Sequence, residues 1–127
     1  MENKQGTAML KVYYLDDEYT IREVFKKYFS TDNILIKTFE EPAEAIKACE
    51  KELPDLFFTD LNMPDMNGEE VAKILPKELP KFLITGELCY EGHEVFSEIF
   101  FKPLPLDDIE NLLAAYLNGK PQVKAAS

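Results

Sequence analysis

The stretch Leu10-Lys-Val-Tyr-Tyr-Leu-Asp-Asp17 decides the fold, because a short apolar run stops abruptly at two carboxylates. A run of this length bounded by polar residues predicts a buried β-strand. The arrangement recurs at Leu56-Phe-Phe-Thr-Asp60, and further apolar strands are predicted at Ile34–Phe39, Lys81–Thr85 and Ile99–Phe101. Nearly continuous apolar runs are typical of strands that are covered by helices on both faces.

Helical periodicity fills the intervals between these strands. Apolar side chains recur at helical spacing over Ile21–Phe29, with Val24 and Tyr28 on the predicted inner face, and again over Ile109–Leu117. Asp17 is placed to cap the first of these helices. Other predicted inner-face positions are Ile46, Cys49 and Leu53 in a second helix, and Val71, Ile74 and Leu75 in a brief third one.

Strict alternation of strands and helices predicts a parallel sheet, because parallel strands need crossover connections. We therefore predict an α/β fold of the flavodoxin-like type. It is a doubly wound five-stranded parallel sheet of order 2-1-3-4-5, with shortened third and fourth helices. Residues 86–97 show weak periodicity, so any fourth helix is expected to be short or irregular. The domain is expected to cover residues 9–118, with polar tails at 1–8 and 119–127.

Charge and composition exclude several classes of function. The 127 residues include 24 Asp and Glu against 14 Lys and Arg, a formal net charge of −10, which argues against direct binding to nucleic acid or an anionic membrane. No apolar run is long enough to span a bilayer, and a cytoplasmic location is expected. Cys49 and Cys89 are expected to be buried free thiols. A catalytic pair of Cys89 with His93 is the alternative, but no nucleophile motif surrounds it.

Polar side chains follow four of the five predicted strands. Asp16 and Asp17 follow the first strand, Asp60 the third, Thr85 ends the fourth and Lys102 follows the fifth. Ligands of doubly wound sheets bind beyond the carboxyl ends of the strands, and the predicted order makes strands one and three neighbours. Three close carboxylates favour a hard cation such as Mg²⁺, while a lysine and a hydroxyl can hold phosphoryl oxygens. The residue types therefore fit aspartyl-phosphate chemistry.

Each of these residues also has a simpler explanation. Asp16 and Asp17 can cap a helix, and Asp60 can be a turn residue. Thr85 can be a strand former, and Lys102 can be a solvated surface residue. These explanations do not account for the coincidence of all five positions at one edge of the sheet.

The chain resembles the receiver domains of two-component response regulators, especially those of the chemotaxis type, over about residues 9–118. Four motifs carry the resemblance, each at the carboxyl end of a predicted strand. They are Leu15-Asp-Asp17, Asp60-Leu-Asn-Met-Pro-Asp-Met-Asn-Gly68, Ile84-Thr-Gly86 and Phe101-Lys-Pro103.

The resemblance implies that Asp60 accepts a phosphoryl group and that Thr85 and Lys102 contact the phosphoryl oxygens. It further implies a Mg²⁺ site formed by Asp16, Asp17, Asp60 and the backbone carbonyl of Asn62, in which Asp17 binds the ion directly and Asp16 acts directly or through water. It also implies a cis Lys102–Pro103 peptide, room for the phosphoryl group at Gly86, and a hydrolysis rate tuned by Asn62 and Glu87.

The implied partners are a sensor histidine kinase or a phosphotransfer protein, and a downstream protein target. The chain itself is expected to be a monomer or a weak dimer. At most, it would catalyse its own phosphorylation and dephosphorylation.

Two departures from the family pattern leave an alternative open. The segments from Asp60 to Thr85 and from Thr85 to Lys102 are several residues shorter than is usual in receivers. Ile99 stands where the family often has a switching aromatic residue, and Phe101 has the same strand parity. These features favour a pseudo-receiver, a protein-binding module that works without phosphorylation. A flavin or nucleotide binder would need a phosphate loop after the first strand, where the aspartates would repel a phosphate.

Overall fold

The computed structural model describes residues 9–91 and 94–119 of the chain. Strands and helices alternate in the order β1 Leu10–Leu15, α1 Tyr19–Phe29, β2 Ile34–Phe39, α2 Pro42–Lys51, β3 Leu56–Thr59, α3 Gly68–Ile74, β4 Lys81–Thr85, β5 Glu98–Phe101 and α4 Leu106–Gly119. All strand pairs are parallel, and the sheet order is β2-β1-β3-β4-β5. The predicted α/β fold and its 2-1-3-4-5 strand order are confirmed.

The sheet separates two apolar layers. On one face, the rings of Tyr14 and Phe58 pack against Phe25 of α1, with centroids 4.4 Å and 5.3 Å from the Phe25 ring, and α4 covers the rest of this face. On the other face, Tyr13 and Phe57 belong to a cluster that includes side chains of α2 and α3. Full burial of one such ring contributes about 2 kcal/mol, so the two layers hold the strand ends in fixed positions.

Helix α1 differs from the prediction in its buried face and its start. Phe25 and Phe29 are buried, but Val24 and Tyr28 are exposed, so their placement on the inner face was wrong. The helix begins at Tyr19, and its N-cap residue Glu18 makes no side-chain cap. The predicted cap by Asp17 was also wrong, because the Asp16 side chain instead accepts from the Glu18 N–H, at 2.9 Å.

The next two helices are short. Helix α2 starts with Pro42 in its first turn and ends at Lys51, so Leu53, predicted on its inner face, lies beyond the helix and is exposed. Helix α3 has seven residues and begins with a reciprocal capping box between Asn67 and Glu70. Ile74 at its end is exposed, contrary to the prediction. No helix in the described part of the chain has both the length and the apolar character to cross a bilayer.

In its described residues, 86–91 and 94–97, the crossover from β4 to β5 contains turns and no helix. A shortened fourth helix was predicted in this segment, so the departure from the usual length is larger than expected. A cavity of about 950 Å³ lies beside α3 and β5, next to this crossover, and its lining includes none of the predicted site residues. Lys81 is nearly fully buried in that lining and donates a 2.6 Å hydrogen bond to the Pro76 carbonyl. Residues 1–8 and 120–127, which include most of the predicted tails, lie outside the described residues.

The two cysteines differ in exposure. Cys49 is buried, as predicted, and burial raises the pKa of its thiol to about 11. Cys89 is exposed, which corrects the prediction that both thiols are buried. It lies in the crossover between β4 and β5, whose described residues form no helix. His93, its proposed catalytic partner in the alternative, lies outside the described residues.

Candidate phosphoryl-acceptor site

Parallel pairing of β1 with β3 brings the three aspartates together. Leu15 and Thr59 are register partners, so the residues that follow them meet at the same edge of the sheet. The Asp60 N–H donates to the Leu15 carbonyl at 2.8 Å, which extends this pairing by one residue. One carboxylate oxygen each from Asp16, Asp17 and Asp60 lies within 4.8 Å of the others. The predicted acidic cluster is therefore present.

Asp16 is fully buried, and both of its carboxylate oxygens are hydrogen-bonded. Its Oδ1 accepts from the Glu18 N–H at 2.9 Å, and its Oδ2 accepts from the Tyr14 hydroxyl at 2.5 Å. Arg22 donates to the backbone carbonyl of Asp16 at 2.8 Å. Burial of a carboxylate is tolerated when hydrogen bonds and an opposite charge compensate for lost water, and this residue has both.

Lys102 supplies the compensating positive charge. Its Nζ lies 3.1 Å from Asp16 Oδ2, 3.1 Å from Glu18 Oε1 and 3.4 Å from Asp60 Oδ1. Only 17% of its side chain is exposed, so its description as a solvated surface residue is wrong. Burial lowers the pKa of Lys102, but the carboxylates of Asp16 and Asp60 raise it by more, and the net pKa lies above the usual value. The lysine is therefore a permanent cation at neutral pH.

Only one of the two carboxylate oxygens of Asp60 has a partner among the described residues. Its Oδ1 accepts from the Leu61 N–H at 2.8 Å and faces Lys102, whereas no hydrogen bond within the described residues ends on its Oδ2. Burial, and then the charge of Asp16, raise the pKa of Asp60 to about 6, against the opposing effects of Lys102 and the Leu61 N–H. The described neighbours of the carboxylate therefore compensate its charge only in part.

The loop after Asp60 is held against the strand by Gly68. The Gly68 N–H donates to the Leu61 carbonyl at 2.8 Å. A Cβ atom at position 68 would lie 2.1 Å from the Asp60 carbonyl oxygen, so no larger residue fits without a shift of the backbone. The two ends of the Asp60–Gly68 motif therefore lie in contact, and this close approach of the backbone requires glycine at position 68.

Thr85 and Lys102 are joined through the backbone rather than through their side chains. The Lys102 N–H donates to the Thr85 carbonyl at 2.8 Å. The Thr85 side chain is fully buried, and its Oγ1 accepts from the Glu87 N–H at 3.0 Å. Among the described residues, no hydrogen bond joins Thr85 to Asp60. The Lys102–Pro103 peptide is cis, as the resemblance implied.

An open cleft of about 340 Å³ lies over these groups. Its lining consists of Asp17, Glu18, Asp60, Asn62, Gly86, Glu87 and Lys102. Asn62 and Glu87 face each other across it, with Asn62 Nδ2 at 3.4 Å from Glu87 Oε1. Space is open at Gly86, where an added Cβ would meet no atom within 4 Å. The cleft therefore gives solvent and a small ligand access to Asp60.

Three residues of the site were not predicted from the sequence. Tyr14 and Glu18 contact the site through side-chain hydrogen bonds, and Arg22 contacts it through the Asp16 carbonyl. A signal was available for Tyr14, because residues two apart on a strand point to the same face, and Tyr14 precedes Asp16 by two. No comparable signal marks Glu18, whose partner Lys102 is 84 residues away in the chain.

Comparison with known proteins agrees with this geometry. The model of the response regulator receiver domain family matches residues 12–87. Sporulation initiation phosphotransferase F of Bacillus subtilis is 28% identical over 115 residues, which cover 84% of this chain and 93% of that protein. The DNA-binding transcriptional regulator NtrC of Proteus hauseri is 33% identical over 69 residues, which cover 54% of this chain but only 15% of that protein.

Among the solved structures with the same fold, two examples share more than 25% of their sequence with this chain. The response regulator TrrA of Thermotoga maritima, in complex with Mg(2+)-BeF, is 27% identical with a TM-score of 0.76, and the match covers 86% of this chain and all (100%) of that one. The chemotaxis protein CheY4 of Vibrio cholerae is 26% identical with a TM-score of 0.76, and the match covers 84% and 98% of the two chains. The carboxylate cluster, the parallel sheet and these matches together show that the chain belongs to the response regulator receiver domains, the modules of two-component phosphorelay signalling.

Proposed function

We propose that this receiver domain accepts a phosphoryl group on Asp60 in a Mg²⁺-dependent reaction. The observation that carries the proposal is Asp60 Oδ2, which accepts no hydrogen bond from any described residue, on a side chain that lines an open cleft beside two further carboxylates and a lysine. A partly compensated carboxylate with one unpaired oxygen is a competent nucleophile.

The donor set of the cleft fits Mg²⁺. Its side-chain donors are carboxylate oxygens, one each from Asp16, Asp17 and Asp60, that lie within 4.8 Å of one another, and hard oxygen donors of this kind are those that Mg²⁺ prefers. Asp16, Asp17 and Asp60 would hold the ion, together with the backbone carbonyl of Asn62. When bound, the ion supplies positive charge that stabilises a transferred phosphoryl group. TrrA, the relative of known structure, is in complex with Mg(2+)-BeF, which supports this assignment.

The reaction that we propose is an in-line displacement at phosphorus. An oxygen of the Asp60 carboxylate attacks, a new O–P bond forms, and the bond from phosphorus to the donor's nitrogen or oxygen breaks, with the electron pair leaving on the donor. Lys102 stabilises the charge on the phosphoryl oxygens. Thr85 accepts from the Glu87 N–H through its Oγ1, and we propose that its hydroxyl hydrogen is donated to a phosphoryl oxygen, which would couple the acceptor to the loop after β4.

The phosphoryl donor is proposed to be a sensor histidine kinase or a phosphotransfer protein. Phosphorylation adds a group of about −2 charge with three acceptor oxygens, which redistributes the bonds of Thr85 and Lys102. We propose that this shift changes the affinity of residues 9–118 for a downstream protein. The similarity to sporulation initiation phosphotransferase F along 93% of that protein supports a role for the receiver domain by itself. The pseudo-receiver alternative is not favoured, since the whole set of charged residues is in place.

Acetyl phosphate provides a direct test. The protein is incubated with acetyl phosphate and Mg²⁺, and its intact mass is measured. We expect the mass of one phosphoryl group to be added to the wild-type protein, and no gain in Asp60→Asn or with EDTA. Equal gains in the wild-type and Asp60→Asn proteins would assign the acceptor elsewhere, and no gain in either would refute the proposal.

A further inference from the structure

We infer that Tyr14 is a positioning residue, which holds the carboxylate of Asp16 in the orientation that the metal site needs. This inference rests on the proposed function. It assigns to a core residue a role in Mg²⁺ affinity, although Tyr14 itself does not line the cleft.

The contact between the two side chains is built into the core. Tyr14 is fully buried on β1, and its hydroxyl donates to Asp16 Oδ2 at 2.5 Å. Its ring packs on Phe25, with the ring centroids 4.4 Å apart. Because the ring is fixed by packing, the hydroxyl is a donor whose place does not depend on the loops around the cleft.

The other donor to Asp16 Oδ2 is less fixed than Tyr14. Lys102 also faces Asp16 Oδ2, but its ammonium is shared with Glu18 and Asp60. When Lys102 turns toward a phosphoryl oxygen, Tyr14 remains as the donor to Oδ2. The backbone N–H of Glu18 holds Oδ1. Together, Tyr14 and the Glu18 N–H would fix the plane of the carboxylate through the whole phosphorylation cycle.

Loss of the Tyr14 hydroxyl is expected to lower the affinity for Mg²⁺ more than it lowers the rate of phosphorylation. Groups that orient a metal ligand typically change metal affinity by about tenfold or more when they are removed. Without the hydroxyl, Asp16 has to be reoriented each time that Mg²⁺ binds. We therefore expect Tyr14→Phe to raise the half-saturating Mg²⁺ concentration about tenfold, while the rate at saturating Mg²⁺ changes much less.

Tyr13 provides a matched control. It is the neighbouring residue on β1, it is also buried, and its hydroxyl donates to the Glu52 carbonyl at 3.0 Å on the opposite face of the sheet. Tyr13→Phe therefore removes one hydroxyl and one hydrogen bond from the same strand without touching the acidic cluster. A merely structural role for Tyr14 predicts that neither variant changes the Mg²⁺ dependence.

The experiment has two readouts on the full chain. Mg²⁺ binding is measured by isothermal titration calorimetry, and the Mg²⁺ dependence of phosphorylation is measured with acetyl phosphate and intact mass. The expected result is a weakened Mg²⁺ affinity in Tyr14→Phe alone, with circular dichroism unchanged in both variants. Equal Mg²⁺ affinities in the wild-type protein and Tyr14→Phe would overturn the inference, as would an equal loss in both variants.

The two readouts separate this inference from the proposed function. If the wild-type protein binds Mg²⁺ but gains no phosphoryl mass, the proposed function fails, and calorimetry still decides the role of Tyr14. If the wild-type protein gains mass but Tyr14→Phe leaves Mg²⁺ affinity unchanged, only the inference about Tyr14 fails. Absence of Mg²⁺ binding to the wild-type protein would overturn both.

Discussion

Gly68 approaches the backbone of Asp60 so closely that a Cβ atom on it would lie 2.1 Å from the Asp60 carbonyl oxygen. This contact joins the first turn of α3 to the residue that follows β3. It thereby fixes the backbone that carries the Asp60 carboxylate.

Replacement of Gly68 by Ala is expected to destabilise the fold by about 1–3 kcal/mol, because the methyl group overlaps backbone atoms that cannot rotate away. Thermal unfolding, followed by circular dichroism, measures this loss. Gly86→Ala is the matched control for stability, since an added Cβ there meets no atom within 4 Å. Equal melting temperatures for Gly68→Ala and the wild-type protein would contradict the close approach.

The raised pKa of Asp60, about 6, predicts a pH-dependent effect on stability. An aspartate has an ordinary pKa near 4, so the folded protein binds this proton more tightly than the unfolded chain does. The resulting stabilisation is complete below about pH 4 and is lost as the pH rises through about 6. At pH 7.5 without metal, Asp60→Asn should therefore be more stable than the wild-type protein, by a free energy of unfolding on the order of 2 kcal/mol.

Chemical denaturation in EDTA at pH 4.5 and 7.5 checks this expectation. The increase in the free energy of unfolding caused by Asp60→Asn should be much smaller at pH 4.5, where the carboxyl group of the folded wild-type protein is largely protonated. A gain of the same size at both values, or a loss at pH 7.5, would show that the charge of Asp60 does not destabilise the folded protein.

Asp17→Asn is expected to remove the stabilisation by Mg²⁺ while it leaves the metal-free stability nearly unchanged. Within the described residues, the Asp17 side chain makes no hydrogen bond or ion pair, so its loss breaks no contact of the apoprotein. In the wild-type protein, Mg²⁺ at about 100 times its dissociation constant should add about 2.7 kcal/mol of stability. Thermal unfolding at several Mg²⁺ concentrations gives both quantities.

Asp32→Asn is the charge-matched control for Asp17→Asn. Asp32 is an exposed residue between α1 and β2, away from the cleft. It should retain the full response to Mg²⁺. A reduced response in both variants would indicate a general effect of net charge rather than a ligand at Asp17.

Glu18 competes for the ammonium of Lys102 in the unphosphorylated protein. The three N–H donors of Lys102 face three carboxylates, and only Glu18 among them is well exposed, with 59% of its side chain accessible. An exposed ion pair contributes about 0–1 kcal/mol, so Glu18→Gln should speed phosphorylation by acetyl phosphate at saturating Mg²⁺ up to about fivefold.

Glu23→Gln, which removes the same charge farther along α1, should leave the rate at the wild-type value. The rates are followed by intact mass at fixed acetyl phosphate. A slower reaction in Glu18→Gln would mean that Glu18 assists the transfer rather than restraining Lys102.

Much of the site could be predicted from the sequence because it depends on strand order. Once β1 and β3 are neighbours, Asp16, Asp17 and Asp60 must meet, whatever the loops do. The place of Lys102 after β5 follows from the same order. These positions depend on backbone pairing, which apolar runs and alternation with helices largely determine.

The features that the sequence did not predict depend on which surfaces of each element are buried by their neighbours and on the local path of the loops. Periodicity marks the apolar face of α1, but it does not say that the sheet covers Phe25 and Phe29 and leaves Val24 and Tyr28 exposed. The bond from Asp16 to the Glu18 N–H, which replaces a cap by Asp17, depends on the local path of the chain after β1. The place of Thr85, bonded to its own loop, likewise follows from loop geometry.

The exposure of side chains on the edge strand β5 could not be predicted from the sequence either. Ile99 is half-buried and packs with a small cluster that includes Leu83 and Phe96, whereas Phe101 is 40% exposed. The sequence places both residues on one side of β5, but only the extent of cover over that strand decides which of them is accessible.

The crossover after β4 carries an exposed cysteine to which a spectroscopic probe can be attached. Cys89 is exposed there, four positions beyond Thr85, whereas the buried Cys49 has a thiol pKa raised to about 11. A maleimide dye will therefore label the wild-type chain at one position without any substitution. Since the loop that carries the dye also bonds the Thr85 hydroxyl through Glu87, we expect its fluorescence to change with the proposed phosphorylation of Asp60.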